Sequence, residues 1–316
     1  MIPLDDIRAA RERIAGAAVR TPLVRAQLPE APCEIWLKLE NLQPIGSFKI
    51  RGAVNAVRQA PPDEVARGLV TASAGNMAQG VAWAAREAGV RATIVVPEEA
   101  PRTKVDAIER LGGRVVKVTH ERWWQTMEEH GHPGIEGLFV HPVEDEPVMA
   151  GNGTIGLEVL EDLPDADAVV IPFGGGGLTA GIASAVKQLR PDTRVYTVEP
   201  ETGAPFAASL AAGGPTPIEY SKSFVDGAGG PVVLPKMWGI DRELVDGAFA
   251  ASLDETAAAV RLLAERVRVV AEGAGALALA AALAGRAGTG KVVCIVSGGN
   301  IDASRLVRIL SGETPS

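Results

Sequence analysis

The sequence has few cysteines, few aromatic residues and no long apolar run. Its two cysteines, Cys33 and Cys294, lie outside any Cys-x-x-Cys or Cys/His cluster, which argues against a disulfide scaffold or a zinc ribbon. No apolar run reaches the ~18 residues that a membrane span needs, and residues 1–13 lack the apolar core of a signal peptide. We therefore expect a cytoplasmic protein without a membrane partner.

Positive charge is also in deficit. The 31 Lys and Arg against 39 Asp and Glu give a formal net charge of −8. Such a chain has no field that attracts nucleic acid, so we expect no nucleic-acid partner. At a prior of roughly 150 residues per domain, the 316 residues are enough for about two lobes.

Short β-rich runs alternate with Ala-rich segments of helical length. The runs that predict strands are residues 35–39, 69–72, 92–96, 114–118, 168–171, 194–198 and 291–296. Residues 168–171 and 292–296 are continuously apolar, which is typical of strands covered on both faces in a parallel sheet. We predict an α/β fold, with helices that include 102–111 after Pro101 and 253–268.

Lys49 occupies an unusual position for a lysine. Gly46 and Ser47 predict a turn and a helix N-cap, with the helix running from Phe48. Because the helix dipole disfavours a cation in the first turn, we expect a lowered lysine pKa and a nucleophilic amine. A solvated lysine beside an apolar face is the alternative.

A glycine loop follows the strand predicted at 168–171. It consists of Gly174, Gly175, Gly176 and Gly177, and a helix-like run follows it. Amides that converge at a helix N-terminus form a site for a phosphate. A sterically tight turn is one alternative and the dinucleotide site of an oxidoreductase is a remote one, since a glycine loop alone is weak evidence for NAD.

Two further polar loops follow predicted strands. Residues 73–77 read Ser-Ala-Gly-Asn-Met, and residues 297–300 read Ser-Gly-Gly-Asn. Ligands of open α/β sheets lie at the carboxyl ends of the strands. The sequence therefore predicts one lysine, one phosphate site and small polar side chains around one cavity.

In this order and spacing, four motifs resemble the threonine/serine dehydratase and serine racemase branch of the fold type II pyridoxal-phosphate enzymes. They are residues 47–53 (Ser-Phe-Lys-Ile-Arg-Gly-Ala), 73–76, 174–177 and 297–300, and the similarity runs from about Thr21 to Asn300. The resemblance implies a tryptophan synthase β-like fold of open twisted, mostly parallel sheets flanked by helices. It implies a large cofactor-binding domain of residues 1–68 plus 144–316, a small mobile domain of residues 69–143, and a homodimer.

The resemblance also implies pyridoxal 5′-phosphate as the cofactor, with Lys49 as the catalytic residue that carries it. Phe48 would pack near the cofactor ring, Asn76 would bind the ring hydroxyl, and Ser297 would face the pyridine nitrogen. The phosphate would be held by Gly174, Gly175, Gly176, Gly177 and Leu178. The carboxylate of an amino-acid substrate would lie against Ser73, Ala74, Gly75, Asn76 and Met77.

The implied reaction is that of a dehydratase, or ammonia-lyase. Such an enzyme eliminates the β-hydroxyl of threonine, serine or a bulkier analogue such as phenylserine and yields a 2-oxo acid and ammonia. Ile50 follows the lysine where cysteine synthases carry Asp, and Ala74 stands where racemases carry an acid/base serine. A racemase or a β-replacement enzyme is the alternative.

One departure from the family pattern concerns the substrate. Met77 stands where the family usually has His, so a flexible apolar side chain replaces an imidazole. We hypothesise a pocket for a larger or more apolar β-substituent. Trp123 and Trp124 could contribute to it, although core packing is the simpler role for them.

The metal-binding pattern of some family members is incomplete here. It begins at Glu199 and Gly203 and needs an acid at position 205, which is Pro205. The four histidines show no ligand spacing for zinc, so we predict no metal. Glu272 aligns with an acid near the cofactor ring in relatives, and capping of the following helix is an equal alternative.

Overall fold

The alternation of β-rich and Ala-rich segments folds into two sheets in the computed structural model, which describes residues 1–316. The strands are β1 (Leu23–Arg25), β2 (Glu34–Leu39), β3 (Leu69–Ala72), β4 (Ala92–Pro97), β5 (Gly113–Val118), β6 (Leu138–Phe139), β7 (Ala168–Pro172), β8 (Arg194–Pro200), β9 (Gly247–Ala251) and β10 (Lys291–Val296). Every strand predicted from the sequence is present. The sequence missed β1, β6 and β9, which are short or lie at a sheet edge.

The larger sheet has the strand order β1-β2-β10-β7-β8-β9, and all its pairs are parallel except β1 with β2. The smaller sheet has the order β5-β4-β3-β6 and is entirely parallel. The continuously apolar strands β7 and β10 lie in the middle of the larger sheet and are almost fully buried. This confirms the prediction of a mostly parallel α/β fold.

Helices cover both sheets. They are α1 (Leu4–Ile14), α2 (Lys49–Gln59), α3 (Pro62–Ala66), α4 (Asn76–Ala88), α5 (Arg102–Arg110), α6 (His120–Glu128), α7 (Glu146–Asp162), α8 (Gly177–Leu189), α9 (Pro205–Ala212), α10 (Pro235–Asp241), α11 (Leu253–Leu262), α12 (Gly273–Leu283) and α13 (Ala303–Leu310). The prediction of one helix over 253–268 was wrong in its second half. A π-helical turn, Leu263–Val267, follows α11, and Arg268 then adopts a left-handed backbone with φ 67°.

The helices form layers around the larger sheet. α7 and α8 pack on one face with β7, and α11 and α12 pack on the other. Helix α12 is apolar on every side, and its residues up to Ala282 are buried, as expected for a helix enclosed by the core. α2 and α4 bury their apolar faces with β3 and β4.

The strands of the smaller sheet all lie between Leu69 and Phe139. The division into domains at 68/69 and 143/144 and the mobility of the smaller domain stay predictions. No helix combines the length and the apolar character needed to cross a bilayer.

Candidate active site

The structure brings three of the four predicted motifs into direct contact, and the fourth, the glycine loop, is linked to Lys49 through Pro142 and Val143. Ser47 forms an isolated β-bridge with Gly298, and the Phe48 amide donates to the Ser297 carbonyl at 3.0 Å. The Asn300 side-chain amide donates to Asn76 Oδ1 at 2.7 Å. Loops from both sheets therefore meet around one site, as the sequence indicated.

The start of α2 differs from the prediction. The helix begins at Lys49, Phe48 is its N-cap, and no side chain caps it. The expected capping role of Ser47 was wrong because the bridge to Gly298 holds this residue one position before the cap. The buried Ser47 hydroxyl has no hydrogen-bond partner within the protein.

The Lys49 amine is partly buried beside the Phe48 ring, whose centroid lies 5.2 Å from Nζ. Nζ donates to the Pro142 carbonyl oxygen at 2.8 Å. Burial, which disfavours the charged ammonium, lowers the pKa of Lys49 to about 8. These contacts favour a nucleophilic amine over a solvated lysine.

The glycine loop is a cradle of free backbone amides. The amides of Gly174, Gly175 and Gly176 donate no backbone hydrogen bond, and α8 begins directly after them. A Cβ atom at Gly175 would lie 2.4 Å from Val143 Cγ2, and φ is +100° at Gly176, so both positions require glycine. Free amides at a helix N-terminus form an anion site.

Asp241 is a buried group at the glycine loop that the sequence analysis missed. A Cβ atom at Gly176 would lie 2.2 Å from Asp241 Oδ2, and neither carboxylate oxygen has a hydrogen-bond partner. Burial raises the pKa of Asp241 well above its ordinary value. No sequence signal marks this residue, because its burial follows from the packing of α10 against α8.

Glu272 lies in the site and does not cap α12. Its Oε1 accepts from Asn76 Nδ2 at 2.7 Å, and its side chain makes no cap bond to the helix. Burial, supported by the negative charge of Asp226, raises the pKa of Glu272 to about 7. The capping alternative was therefore wrong, and Glu272 can exchange a proton near neutral pH.

The loop after β3 is partly buried, and the Gly75 amide donates to Ser73 Oγ at 3.2 Å. The Met77 side chain, 2% exposed, packs in the apolar cluster of α2 and α4. Trp123 and Trp124 lie on α6, with ring centroids 6.2 Å apart. A role for these three residues in a substrate pocket stays a prediction.

Glu199 and a cluster of two histidines and a glutamate are the side chains relevant to the prediction that the protein binds no metal. The Glu199 carboxylate accepts from the Phe206 and Ala207 amides at 3.1 and 2.9 Å, so it caps α9. The ligand-type atoms of His130, His141 and Glu144 lie within 4.8 Å of one another. The sequence missed this second group because the loop before β6 brings residues distant in sequence together.

The residues present fit a phosphorylated aldehyde cofactor. Lys49 supplies an amine of lowered pKa, the glycine loop supplies free amides, and Ser47 and Glu272 supply polar groups beside them. Fold and site together are those of an α/β enzyme with a site suited to such a cofactor.

Comparison with known proteins specifies this class. The family model for pyridoxal-phosphate dependent enzymes matches residues 14–298. The L-threonine ammonia-lyase of Thermotoga maritima is 41% identical over 98% of this chain and 79% of its own length, and the catabolic L-threonine dehydratase of Escherichia coli strain K12 is 40% identical over 98% and 96%. The structure of maize serine racemase is similar with a TM-score of 0.89 at 32% identity over 98% of this chain and 97% of that one. The chain belongs to the family of pyridoxal-phosphate dependent enzymes and has their type II fold.

Proposed function

We propose that the protein is a pyridoxal-phosphate dependent dehydratase that converts a β-hydroxy amino acid into a 2-oxo acid and ammonia. The observation that carries this proposal is the Lys49 amine of lowered pKa, bonded to the carbonyl of Pro142 next to the Val143 that packs on the glycine loop, in a chain about 40% identical to threonine ammonia-lyases and dehydratases. The net reaction is balanced without an oxidant, because the water lost from the β-carbon is matched by the water that releases ammonia.

Bound pyridoxal phosphate supplies the electron sink that makes the α-proton of an amino acid acidic. Lys49 Nζ can take and hold that proton near neutral pH, since its pKa is about 8. The free amides of the glycine loop and Leu178 bind the phosphate. Ser73 and Asn76 bind the substrate carboxylate.

Ser297 is the residue that would lie beside the cofactor ring. Its hydroxyl, unlike a carboxylate, would not stabilise a positive charge on that ring. The cofactor held by this residue would supply a weaker electron sink, which would favour elimination of the β-hydroxyl.

The test is an assay of the full-length protein for 2-oxo acid and ammonia from threonine, serine and phenylserine. We expect at least one of these substrates to give 2-oxo acid and ammonia in equal amounts. We expect Lys49→Ala to lose at least about a thousandfold in rate. Borohydride fixes the cofactor to the parent protein and not to Lys49→Ala. Absence of 2-oxo acid from every substrate, with cofactor bound, would contradict the dehydratase proposal.

Racemisation is the second candidate, because the maize serine racemase is similar in structure. Ala74 has no hydroxyl to reprotonate the second face of the α-carbon, so we expect elimination to exceed racemisation by at least about tenfold. Ala74→Ser supplies a hydroxyl there and should raise the yield of the D-enantiomer, measured by chiral chromatography. A parent protein that already forms the D-enantiomer as fast as 2-oxo acid would favour the racemase.

We also propose that the protein acts in amino-acid catabolism as a cytoplasmic homodimer. The name of the Escherichia coli relative supports a role in amino-acid catabolism, and a homodimer in the cytoplasm accords with the family resemblance. We also propose that the smaller domain of residues 69–143 closes over the substrate carboxylate. Light scattering of the purified protein measures its mass and so tests whether it is a homodimer.

A further inference from the structure

The segment between β6 and α7 forms a turn that is closed by its own side chains. We call residues 141–145 the His141 turn. His141 Nδ1 accepts hydrogen bonds from the amides of Val143 and Glu144 at 3.1 and 2.8 Å. The His141 amide in return donates to Asp145 Oδ2 at 2.7 Å. The imidazole therefore acts as the acceptor around which this backbone folds.

The contacts of His141 determine its tautomer. Because Nδ1 accepts from two amides, the ring proton of the neutral imidazole resides on Nε2. Burial, with the positive charges of His130, Lys49 and Lys236, lowers the pKa of His141 to about 3, so the ring is neutral at physiological pH.

The same tautomer bears on the cluster of His130, His141 and Glu144. A metal bound at His141 Nε2 requires the proton on Nδ1, where it would point at the two amide donors. His130 instead stacks on His141, with ring centroids 4.7 Å apart. The arrangement thus serves the turn and does not provide a metal site.

The His141 turn contacts both halves of the candidate cofactor site. The carbonyl of Pro142 accepts from Lys49 Nζ at 2.8 Å. The Val143 side chain occupies the space that a Cβ at Gly175 would fill, and the Val143 carbonyl oxygen lies 2.7 Å from the equivalent position at Gly177. The His141 turn therefore supplies both the carbonyl that accepts from the Lys49 amine and the residue that packs against the glycine loop.

We propose that His141 is a positioning residue, whose Nδ1 acceptor holds the Pro142 carbonyl against Lys49 and Val143 against the glycine loop. The proposal rests on the proposed function in one respect, namely that Lys49 carries the cofactor. It assigns His141 no contact with substrate or cofactor. This role depends on the position of the Nδ1 acceptor and not on the charge of the imidazole.

His141→Asn and His141→Gln form a matched pair of variants. The Asn carbonyl oxygen falls near the place of Nδ1 and can accept from following amides, as in Asx turns, whereas the Gln oxygen falls near the place of Nε2. Both replacements are neutral and polar. His130→Asn is the control, since His130 has φ 51° and Asn tolerates a left-handed backbone.

Two quantities are measured on the full-length protein after removal of the cofactor, so that the Lys49 amine is free. The first is the Kd for pyridoxal phosphate, and the second is the apparent pKa of Lys49, from the pH dependence of its labelling by an amine reagent read by mass spectrometry. We expect His141→Asn and His130→Asn to stay within about threefold of the parent Kd, and His141→Gln to bind at least about tenfold more weakly. His141→Gln should also lower the Lys49 pKa, because an acceptor of the ammonium is lost.

Equal behaviour of His141→Asn and His141→Gln in both measurements would overturn the proposal. If His141→Gln does not fold, as judged by circular dichroism, His141→Asn decides the matter, since a loss of binding of about tenfold in that variant contradicts a role for the acceptor. Neither measurement needs turnover. Failure of the dehydratase assay, with these binding results intact, would therefore refute the proposed function and leave the role of His141 standing.

Discussion

At the scale of single residues, Asp241 stands out because a carboxylate is buried without a partner. Its folded-state pKa is raised above the unfolded value, so its stabilising contribution is fully present below the unfolded pKa and is lost as pH rises towards the folded pKa. Within that window the free energy of unfolding falls with pH by up to about 1.4 kcal/mol per pH unit.

Asp241→Asn should remove this dependence. We expect the variant to be more stable than the parent at pH 8 and to lose that advantage towards pH 4, because Asn stays neutral throughout. Urea unfolding followed by circular dichroism at several pH values measures the difference. Parallel stability curves for the two proteins would show that Asp241 is not an unpaired buried acid.

Residues of this kind mark the limit of what the sequence predicts. Lys49, the glycine loop and the loops of Asn76 and Asn300 follow recognisable strands, and the structure places them together. Asp241 follows no motif and is buried only because α10 packs on α8. The roles in cofactor and substrate binding that we give to the site residues stay predictions.

At the scale of elements, β2, α2 and α7 are joined by a buried ionic cluster. Arg51 donates to Glu40 at 2.8 Å and to Glu158 at 2.7 Å, and Lys38 donates to Glu158 at 2.5 Å. Burial by itself would raise the pKa of Glu40, but the Arg51 guanidinium outweighs it and lowers that pKa. Through Arg51, which lies two residues after Lys49, the cluster ties the first turn of α2 to Glu40 and α7.

Removal of one partner leaves buried charge behind. We expect Arg51→Met to lower the free energy of unfolding by about 3–5 kcal/mol at pH 7. The loss should shrink towards pH 4, because protonation removes the unpaired charge of Glu40. Chemical denaturation at both pH values checks this.

Arg102→Met is the matched control. Arg102 forms its ion pair with Asp106 on the surface of α5, where its side chain is 77% exposed. Such a pair contributes less than about 1 kcal/mol. Similar losses for the two variants would mean that the buried cluster contributes no more than a surface pair.

Sequence patterns predicted which helices and strands form better than they predicted where each one begins and ends. Apolar periodicity identified the strands of both sheets, whereas the cap of α2 was misassigned and the π-helical turn after α11 was not foreseen. A β-bridge between residues 47 and 298 decides the first case. Contacts between distant parts of the chain set such boundaries, and no local pattern reports them.

At the scale of the whole molecule, charges from distant segments meet at one edge of the site. Lys104 of α5 donates to Asp226 at 2.6 Å, and Arg305 of α13 approaches the same carboxylate at 3.3 Å. The pKa of Glu272 is raised to about 7 by burial and by the negative charge of Asp226, while the positive charge of Lys104 lowers it. The pKa of Glu272 thus depends on Lys104 of α5 and on Asp226 of the loop before α10.

Two variants should move the Glu272 pKa in opposite directions. Asp226→Asn removes a negative charge and lowers the Glu272 pKa, and Lys104→Met removes a positive charge and raises it. Titration of ¹³C-labelled glutamate by NMR, with Glu272→Gln to assign the signal, measures both shifts. Shifts of the same sign in both variants would contradict a direct electrostatic coupling.

The position of β10 has a consequence for how the protein is made. This strand lies between β2 and β7 in the larger sheet, yet it is the last strand to be translated. A nascent chain that has left the ribosome only as far as α12 still carries two unsatisfied strand edges in its centre. The larger sheet stays incomplete until β10 emerges, and until then the exposed edges of β2 and β7 are open to mispairing.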